Sequence, residues 1–386
     1  MANEHARIPA AAEEAGAELV RSAVARMGPS ATRYPATAWN VAEGTAALHL
    51  NEAPWPPSPR VVEAIARHAA DVFRYPDPRP AGLLRALSER TSAPPHRILL
   101  GAGSDELIQT VASTFLEPAR KAVFPAPAFP KYRHASLLAG AESVTTPLAP
   151  EGHADVDALL SACDARTRLI FVPTPNNPTG SHLGEADLAR LIERAPRHAV
   201  LAFDEAYYEF ARAAGAPDLL AMLAGARARW VVLRTFSKAY CLAGLRIGYA
   251  LAGDDELAEW LARVRPVFNV TRLAEVAALA ALADEEHRDA LLAFVARERT
   301  RLADALVARG RRVLPSVTNF LAVELGHEAS ATIAALKARG ILVAGIPGSG
   351  YERFVRITIG TAAQNDAVLS ALTAPEDATD TTQTRR

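Results

Sequence analysis

Six short runs rich in Val, Ile, Leu and Phe punctuate the first two thirds of the chain, at 97–100, 121–124, 168–172, 199–203, 230–233 and 247–251. Several are apolar on both alternating faces, and a strand of that kind is stable only in a sheet covered on both sides. Segments of helical periodicity lie between them, such as Val61, Ile65, Ala69 and Val72 before the first run and Leu107, Ile108, Val111 and Phe115 after it. Strand and helix in alternation predict an α/β, doubly wound domain. After about residue 275 the pattern changes to a long Ala/Leu-rich helical region. Strand patterns follow at 319–324, 341–343 and 355–359, which predicts a smaller α+β unit.

Composition narrows the class of function. Hydrophobic types make up 50% and charged types 22%, and the 42 basic residues nearly balance 43 acidic ones. Such a chain has enough apolar material for a core, and nothing in its charge demands nucleic acid. Cys163 and Cys241 have no second Cys or His at metal-ligand spacing, so no disulfide framework, zinc site or other metal is expected, and a reducing cytoplasm fits. No apolar stretch reaches the ~18–20 residues of a membrane span, and no secretory leader pattern opens the chain. The histidines form no H-x-x-x-H pair and G-x-S-x-G is absent, which leaves metallohydrolase and serine-hydrolase chemistry without support.

Four segments carry polar residues at strand ends. Gly101-Ala102-Gly103-Ser104-Asp105-Glu106 joins a strand to a helix, where backbone N–H groups can hold a phosphate; an ordinary turn reads the same way. Pro175-Asn176-Asn177-Pro178-Thr179-Gly180 sets Asn177 at a strand's carboxyl end, where α/β ligand sites lie, although a plain turn also explains it. Asp204 ends a run that should be buried and there needs a cationic or hydrogen-bonding partner, or else caps the next helix. Lys238 follows the run at 230–233, with Ser237 before it and Arg246 beyond. A hydroxyl, an amine and a guanidinium around one point suit an imine-forming lysine beside an anion, where a lone lysine would be read as a snorkelling surface residue.

Taken together and in order, these segments resemble the fold-type I pyridoxal-phosphate (PLP) aminotransferases, most closely their histidinol-phosphate aminotransferase-like branch. Leu50-Asn51-Glu52, Tyr75-Pro76-Asp77-Pro78, Asp204-Glu205-Ala206-Tyr207, Arg234-Thr235-Phe236-Ser237-Lys238 and Arg356-Ile357-Thr358-Ile359-Gly360-Thr361 stand in that family's order, and the match runs from about 48 to 372. The resemblance implies a large cofactor-binding domain with a mostly parallel central sheet over 60–275. It implies a small α+β domain formed by 36–59 and 276–374. The residues themselves suggest an Ala/Glu-rich N-terminal arm over 1–35, with one helix from Ala11 to Met27 stopped by Gly28-Pro29, and a loose polar tail over 375–386 after Pro375. The resemblance implies that Lys238 forms the imine with pyridoxal 5'-phosphate and then moves the α-proton, that Asp204 pairs with the ring nitrogen, and that Asn177 and Tyr207 bond the ring's phenolic oxygen. Ser237, Arg246 and the Gly103, Ser104, Asp105 turn would hold the phosphate, and Phe129 would stack on the ring. Tyr75 matches a tyrosine that reaches the phosphate from a neighbouring subunit, which implies a homodimer with a composite site. Arg356 matches the arginine that grips the substrate's acidic group.

Two departures bear on substrate. The family places another arginine soon after 340–343, where this chain has Ala344-Gly345, and the polar residue usual after Glu52 is Ala53. One cation fewer costs a phosphate on the order of 1.5–3 kcal/mol. That weakens the case for histidinol phosphate and favours exchange of an amino group between an L-amino acid and a 2-oxo acid. The same constellation also serves amino-acid decarboxylases and oxidases, which stay as alternatives. A non-catalytic ligand sensor would need a DNA-binding module, and the ~45 residues before the matched region show neither a basic stripe nor a helix-turn-helix pattern.

Overall fold

The computed structural model describes residues 20–25, 27, 42, 44–348 and 350–373. A short first strand, β1 (Ala46–Ala47), precedes a seven-stranded sheet made of β2 (Ile98–Gly101), β3 (Lys121–Pro125), β4 (Glu142–Thr146), β5 (Thr167–Pro173), β6 (Val200–Asp204), β7 (Arg229–Thr235) and β8 (Gly248–Ala252). Their spatial order is β2-β8-β7-β6-β5-β3-β4. All neighbours are parallel except β8, which runs antiparallel to both β2 and β7. The expected mostly parallel α/β sheet is therefore present.

Period-2 geometry divides each central strand between two cores. Leu201 and Phe203 of β6, with Ile170 and Val172 of β5, face helices Pro59–His68, Ala81–Thr91, Glu185–Arg194 and Arg272–Leu282. Val200 and Ala202, with Leu169 and Phe171, face helices Ser104–Phe115, Lys131–Leu138 and Asp255–Val264. Burying each such side chain contributes roughly 1.5–3 kcal/mol, so both faces of the sheet are held, and the strand ends become fixed points for the loops beyond them. The strand β4, Glu-Ser-Val-Thr-Thr, has no apolar run to announce it. It is an edge strand with Glu142 and Thr145 exposed, Ser143 and Val144 half-buried and Thr146 buried, and its pairing with β3 makes it regular. The helix expected to carry Val72 ends at His68, and Val72 lies exposed on a following 3-10 turn.

The second sheet contains β9 (Arg312–Val313), β10 (Phe320–Glu324), β12 (Ala344–Gly345) and β13 (Phe354–Thr358), antiparallel in the order β12-β13-β10-β9, while β1 pairs in parallel with β11 (Ile341–Leu342). Helix Glu285–Val307 supplies Leu291, Val295, Leu302 and Leu306 to its core, together with Leu48, Phe320 and Ile357. Helix Arg272–Leu282 gives Ala274, Ala277, Ala278 and Ala281 to the first core, and the helix after it packs in the second. Tyr207 and Ala239, from loops of the large sheet, also join the second core. The two sheets thus meet at the carboxyl ends of β6 and β7. Of the helix expected within 11–27, Ser22–Ala25 is helical and Arg21 Nη2 donates to the Leu138 carbonyl at 2.9 Å; the rest of the expected arm through 35 and the tail 375–386 lie outside the described residues.

Candidate active site

The turn after β2 makes an anion cradle. Gly103 has φ +81°, and a Cβ there would stand 2.6 Å from Nη2 of Arg246, so any side chain would meet both backbone strain and the guanidinium. Beyond it begins the 12-residue helix Ser104–Phe115, whose first N–H groups have no partner within the helix. Arg246 adopts a left-handed conformation, φ 53°, and its Nη1 donates to the Ala243 carbonyl at 3.2 Å. The hydroxyls of Thr235 and Ser237 lie 2.9 Å apart at the end of β7. A helix N-terminus and a guanidinium meet at one glycine, and the Ser237 hydroxyl lies just past the end of β7, donors of the kind a phosphate requires. The carboxylate of Asp105 is not part of this cradle: it pairs with Lys131 Nζ at 3.1 Å, leaving only its backbone to face an anion.

Asp204 is the last residue of β6 and is buried. Its Oδ2 accepts from the Tyr132 hydroxyl at 2.6 Å and its Oδ1 from the Ala206 N–H at 3.0 Å. Burial raises its pKa, opposed by these two donors and by Lys238. A buried carboxylate with unused lone pairs suits a ligand that brings a positive N–H. The next residue, Glu205, accepts from Arg234 Nε at 2.8 Å, and that guanidinium lies 3.4 Å over the Tyr208 ring. This buried pair fixes the turn that carries Asp204.

Lys238 Nζ donates to the carbonyls of Asn51 at 2.8 Å and Leu50 at 3.3 Å. Burial and, next, the Arg356 guanidinium lower its pKa to about 8, so an appreciable share of the amine is neutral and nucleophilic near physiological pH. The Tyr207 hydroxyl accepts from Asn51 Nδ2 at 2.9 Å, and burial pushes its pKa up to about 12. Asn177 Oδ1 accepts from Arg356 Nη1 at 2.6 Å, and Arg356 Nη2 donates to the His49 carbonyl at 2.5 Å. The buried Arg356 Nε has no protein acceptor, a vacancy that an incoming carboxylate can fill. Phe129 is half-buried and meets Tyr132 edge-on at 6.0 Å.

The fold therefore draws Gly103, Ser104, Asn177, Asp204, Tyr207, Ser237, Lys238, Arg246 and Arg356 from six loops and strands toward the junction of the two sheets. Tyr75 is not among them. It is 84% exposed and stacks on Phe268 at 4.9 Å on the outer surface. Three contributors had no assigned role in the sequence reading. Asn51 is buried at φ 55°, with Thr358 Oγ1 on its Oδ1 at 3.2 Å and Asn319 Nδ2 on its carbonyl at 3.1 Å. An asparagine is among the few residues other than glycine that tolerate that conformation. Tyr132 and the Glu205–Arg234 pair were hidden because an aromatic at helical spacing and a charged residue in a strand carry no local mark of what they face.

A mostly parallel sheet with an amine, a carboxylate and an anion cradle at its carboxyl edge defines a fold-type I PLP-dependent enzyme. Residues 45–372 match the family described as aminotransferase class I and II. The chain is 39% identical over 326 residues to a histidinol-phosphate aminotransferase of Shouchella clausii, covering 84% of this chain and 87% of that one. It is also 39% identical over 326 residues to an aromatic amino acid aminotransferase of Thermobifida fusca, covering 84% and 89%. The crystal structure of histidinol-phosphate aminotransferase from Sinorhizobium meliloti in complex with pyridoxal-5'-phosphate superimposes with a TM-score of 0.84 at 29% identity, covering 92% of this chain and 96% of that one. The chain belongs to the class I and II aminotransferases, in the histidinol-phosphate aminotransferase-like branch, and is a PLP-dependent aminotransferase.

Proposed function

We propose that this enzyme transfers the amino group of an L-α-amino acid to a 2-oxo acid, and that Arg356 receives the carboxylate of both. The carrying observation is the register of the small sheet, in which Ala344 is the direct cross-strand partner of Arg356. The Cβ atoms of such a pair are near neighbours, so position 344 offers only a methyl group beside the base of the Arg356 side chain, where a longer basic residue would bring a second cation to the same face. The two relatives named above are equally identical to this chain and differ in named substrate, so overall identity does not choose between them and the pocket must.

Bound pyridoxal phosphate supplies an aldehyde that condenses with amines and a ring that draws electrons from the substrate's Cα. The protein's share is distributed as follows. Ser237, Arg246, Gly103, Ser104 and the Asp105 backbone hold the phosphate. Asp204 holds a proton at the ring nitrogen, Asn177 and Tyr207 bond the phenolic oxygen, and Phe129 covers the ring face. Lys238 Nζ carries the cofactor and, once free of it, moves the proton at Cα. The carbonyls of Asn51 and Leu50 receive the freed amine.

The test is a half-reaction panel. An L-amino acid alone should bleach the cofactor's long-wavelength band, a 2-oxo acid should restore it, and histidinol phosphate should act at least tenfold more slowly than the best amino acid. Arg356→Ala should raise KM for the donor at least tenfold while cofactor affinity changes little. Carbon dioxide or peroxide release without reversible bleaching, or histidinol phosphate as the best donor, would overturn this reading.

The outer surface supports a homodimer as part of this proposal. Val72, Phe73, Tyr75 and Val267 are 61%, 78%, 84% and 68% exposed, with Phe268 stacked on Tyr75. An apolar strip of this kind needs a cover, and a second copy would bring Tyr75 toward the partner's cradle. Sedimentation should give twice the chain mass, and Tyr75→Ala should weaken phosphate-dependent cofactor retention; a monomer retaining full cofactor affinity would refute the composite site. The cysteines Cys163 and Cys241 are free and, among the described residues, no helix is long and apolar enough to cross a membrane. The free thiols support a reducing cytoplasm as the proposed location.

A further inference from the structure

Asp204 and the ring nitrogen it faces can share one proton in two ways. The proton on nitrogen gives a carboxylate beside a pyridinium; the proton on oxygen gives two neutral partners. Only the first makes the ring a strong electron sink, yet a desolvated site favours the second. Something must hold the charge-separated form in place.

The side-chain donor to Asp204 is Tyr132, at 2.6 Å on Oδ2. The phenol is 1% exposed, and its ring is locked: stacked on Phe171 of β5 at 4.8 Å, and edge-on to Phe124 of β3 and to Phe129 at 6.1 and 6.0 Å. Its own carbonyl accepts from Ser136 Oγ at 2.7 Å. Three aromatics from two strands and a loop thus aim one hydroxyl at one carboxylate oxygen. The other oxygen takes a backbone N–H. The remaining charged or titratable groups around Asp204 are Glu205 and Tyr207 on its own loop and Lys238 from the loop after β7. Glu205 is engaged by Arg234 and Tyr207 by Asn51.

We propose that Tyr132 is a positioning residue that keeps the shared proton on the cofactor's ring nitrogen by donating its own hydrogen bond to Asp204. No bond is made or broken in the phenol. It lowers the proton affinity of the carboxylate, and that affinity decides which partner owns the proton. Burial tends to raise the Asp204 pKa and the Tyr132 bond opposes it, in agreement with the geometry. A hydrogen bond to an ionised group alters such a balance by about ten- to a hundredfold.

The inference rests on the assignment of Asp204 to the ring nitrogen, so the experiment separates the two. The holoenzyme is loaded with pyridoxal phosphate labelled with ¹⁵N in the ring, and the nitrogen resonance is followed from pH 6 to 9. In Tyr132→Phe the ring stack survives and the hydroxyl is lost; the resonance should move toward unprotonated pyridine, with the proton population shifted about ten- to a hundredfold. Replacing Tyr132 with 3-fluorotyrosine, a more acidic phenol and a stronger donor, should move the balance the opposite way, a sign change no packing defect produces. In the cofactor-free protein, the ¹³C carboxyl resonance of Asp204 should titrate at higher pH in Tyr132→Phe than in the wild type. Asp204→Asn should abolish protonation of the ring nitrogen, and the double variant should add nothing further. An unmoved nitrogen in Asp204→Asn would refute the assignment of Asp204. A moved nitrogen there, with no response to either change at Tyr132, would refute the role of Tyr132 alone. If Tyr132→Phe does not fold, the fluorotyrosine protein decides: a shift toward the pyridinium supports the proposal, and no shift or the reverse overturns it.

Discussion

Lys238→Ala is expected to lower transamination by about 10²–10⁴-fold, the contribution of a positioned acid/base group, and to remove the site of covalent attachment. Borohydride treatment of the wild type should fix the cofactor to the chain at Lys238, and the variant should release it on denaturation. The pH response of the wild type follows from the lowered pKa of about 8. Only the neutral amine attacks the aldehyde, so capture of added cofactor by the cofactor-free protein should accelerate as pH rises toward 8 and level off above it. The cause can be separated. Burial is the larger influence and Arg356 the next, so Arg356→Ala should move the midpoint of that rise upward without abolishing capture. An unchanged midpoint in Arg356→Ala would remove Arg356 from the causes of the lowered pKa. Covalent capture at another lysine would remove Lys238 from the chemistry altogether.

How much of this was legible in the sequence depended on whether a residue's neighbours were local. The strand runs at 121–124 and 199–203 announced themselves because both faces are buried, and they became β3 and β6 with little change in bounds. The β4 strand did not, because an edge strand with polar side chains has no pattern of its own and takes its regularity from β3. The same distinction divides the site. Ser237, Lys238 and Arg246 are close in sequence, and their chemistry suggested one another. Tyr132 meets Asp204 across 72 residues and Asn51 meets Tyr207 across 156, contacts that exist only once two sheets have been built. The left-handed backbone of Asn51 became visible only in the structure. Tyr132 offered no local sign, since helical spacing from Phe129 accounts for its ring and says nothing about its hydroxyl.

Asp204→Asn should reduce kcat by about 10²–10³-fold, the cost of removing a preorganised charge from a water-poor site, while leaving the fold intact. The amide keeps the shape, but its single oxygen can accept from Tyr132 or from the Ala206 N–H and not from both. Its effect on stability should be opposite in the two states of the enzyme. The pKa of Asp204 is raised in the folded, cofactor-free protein. Between the unfolded value and that raised value, the folded state binds the extra proton, so stability falls as pH rises through the window. At neutral pH the cofactor-free wild type therefore carries the cost of a buried carboxylate that the asparagine variant lacks. Cofactor-free Asp204→Asn should melt at the same temperature as the wild type or higher, with a flatter pH dependence on the acid side. Adding pyridoxal phosphate should reverse the order, because only the carboxylate gains a cationic partner and the stabilisation by a ligand scales with its affinity. A wild type that melts higher than the variant without cofactor, by the same margin as with it, would show that Asp204 serves the fold and not the ring. A crossing of the two melting curves would show that the protein holds a destabilising charge in readiness for the molecule that neutralises it.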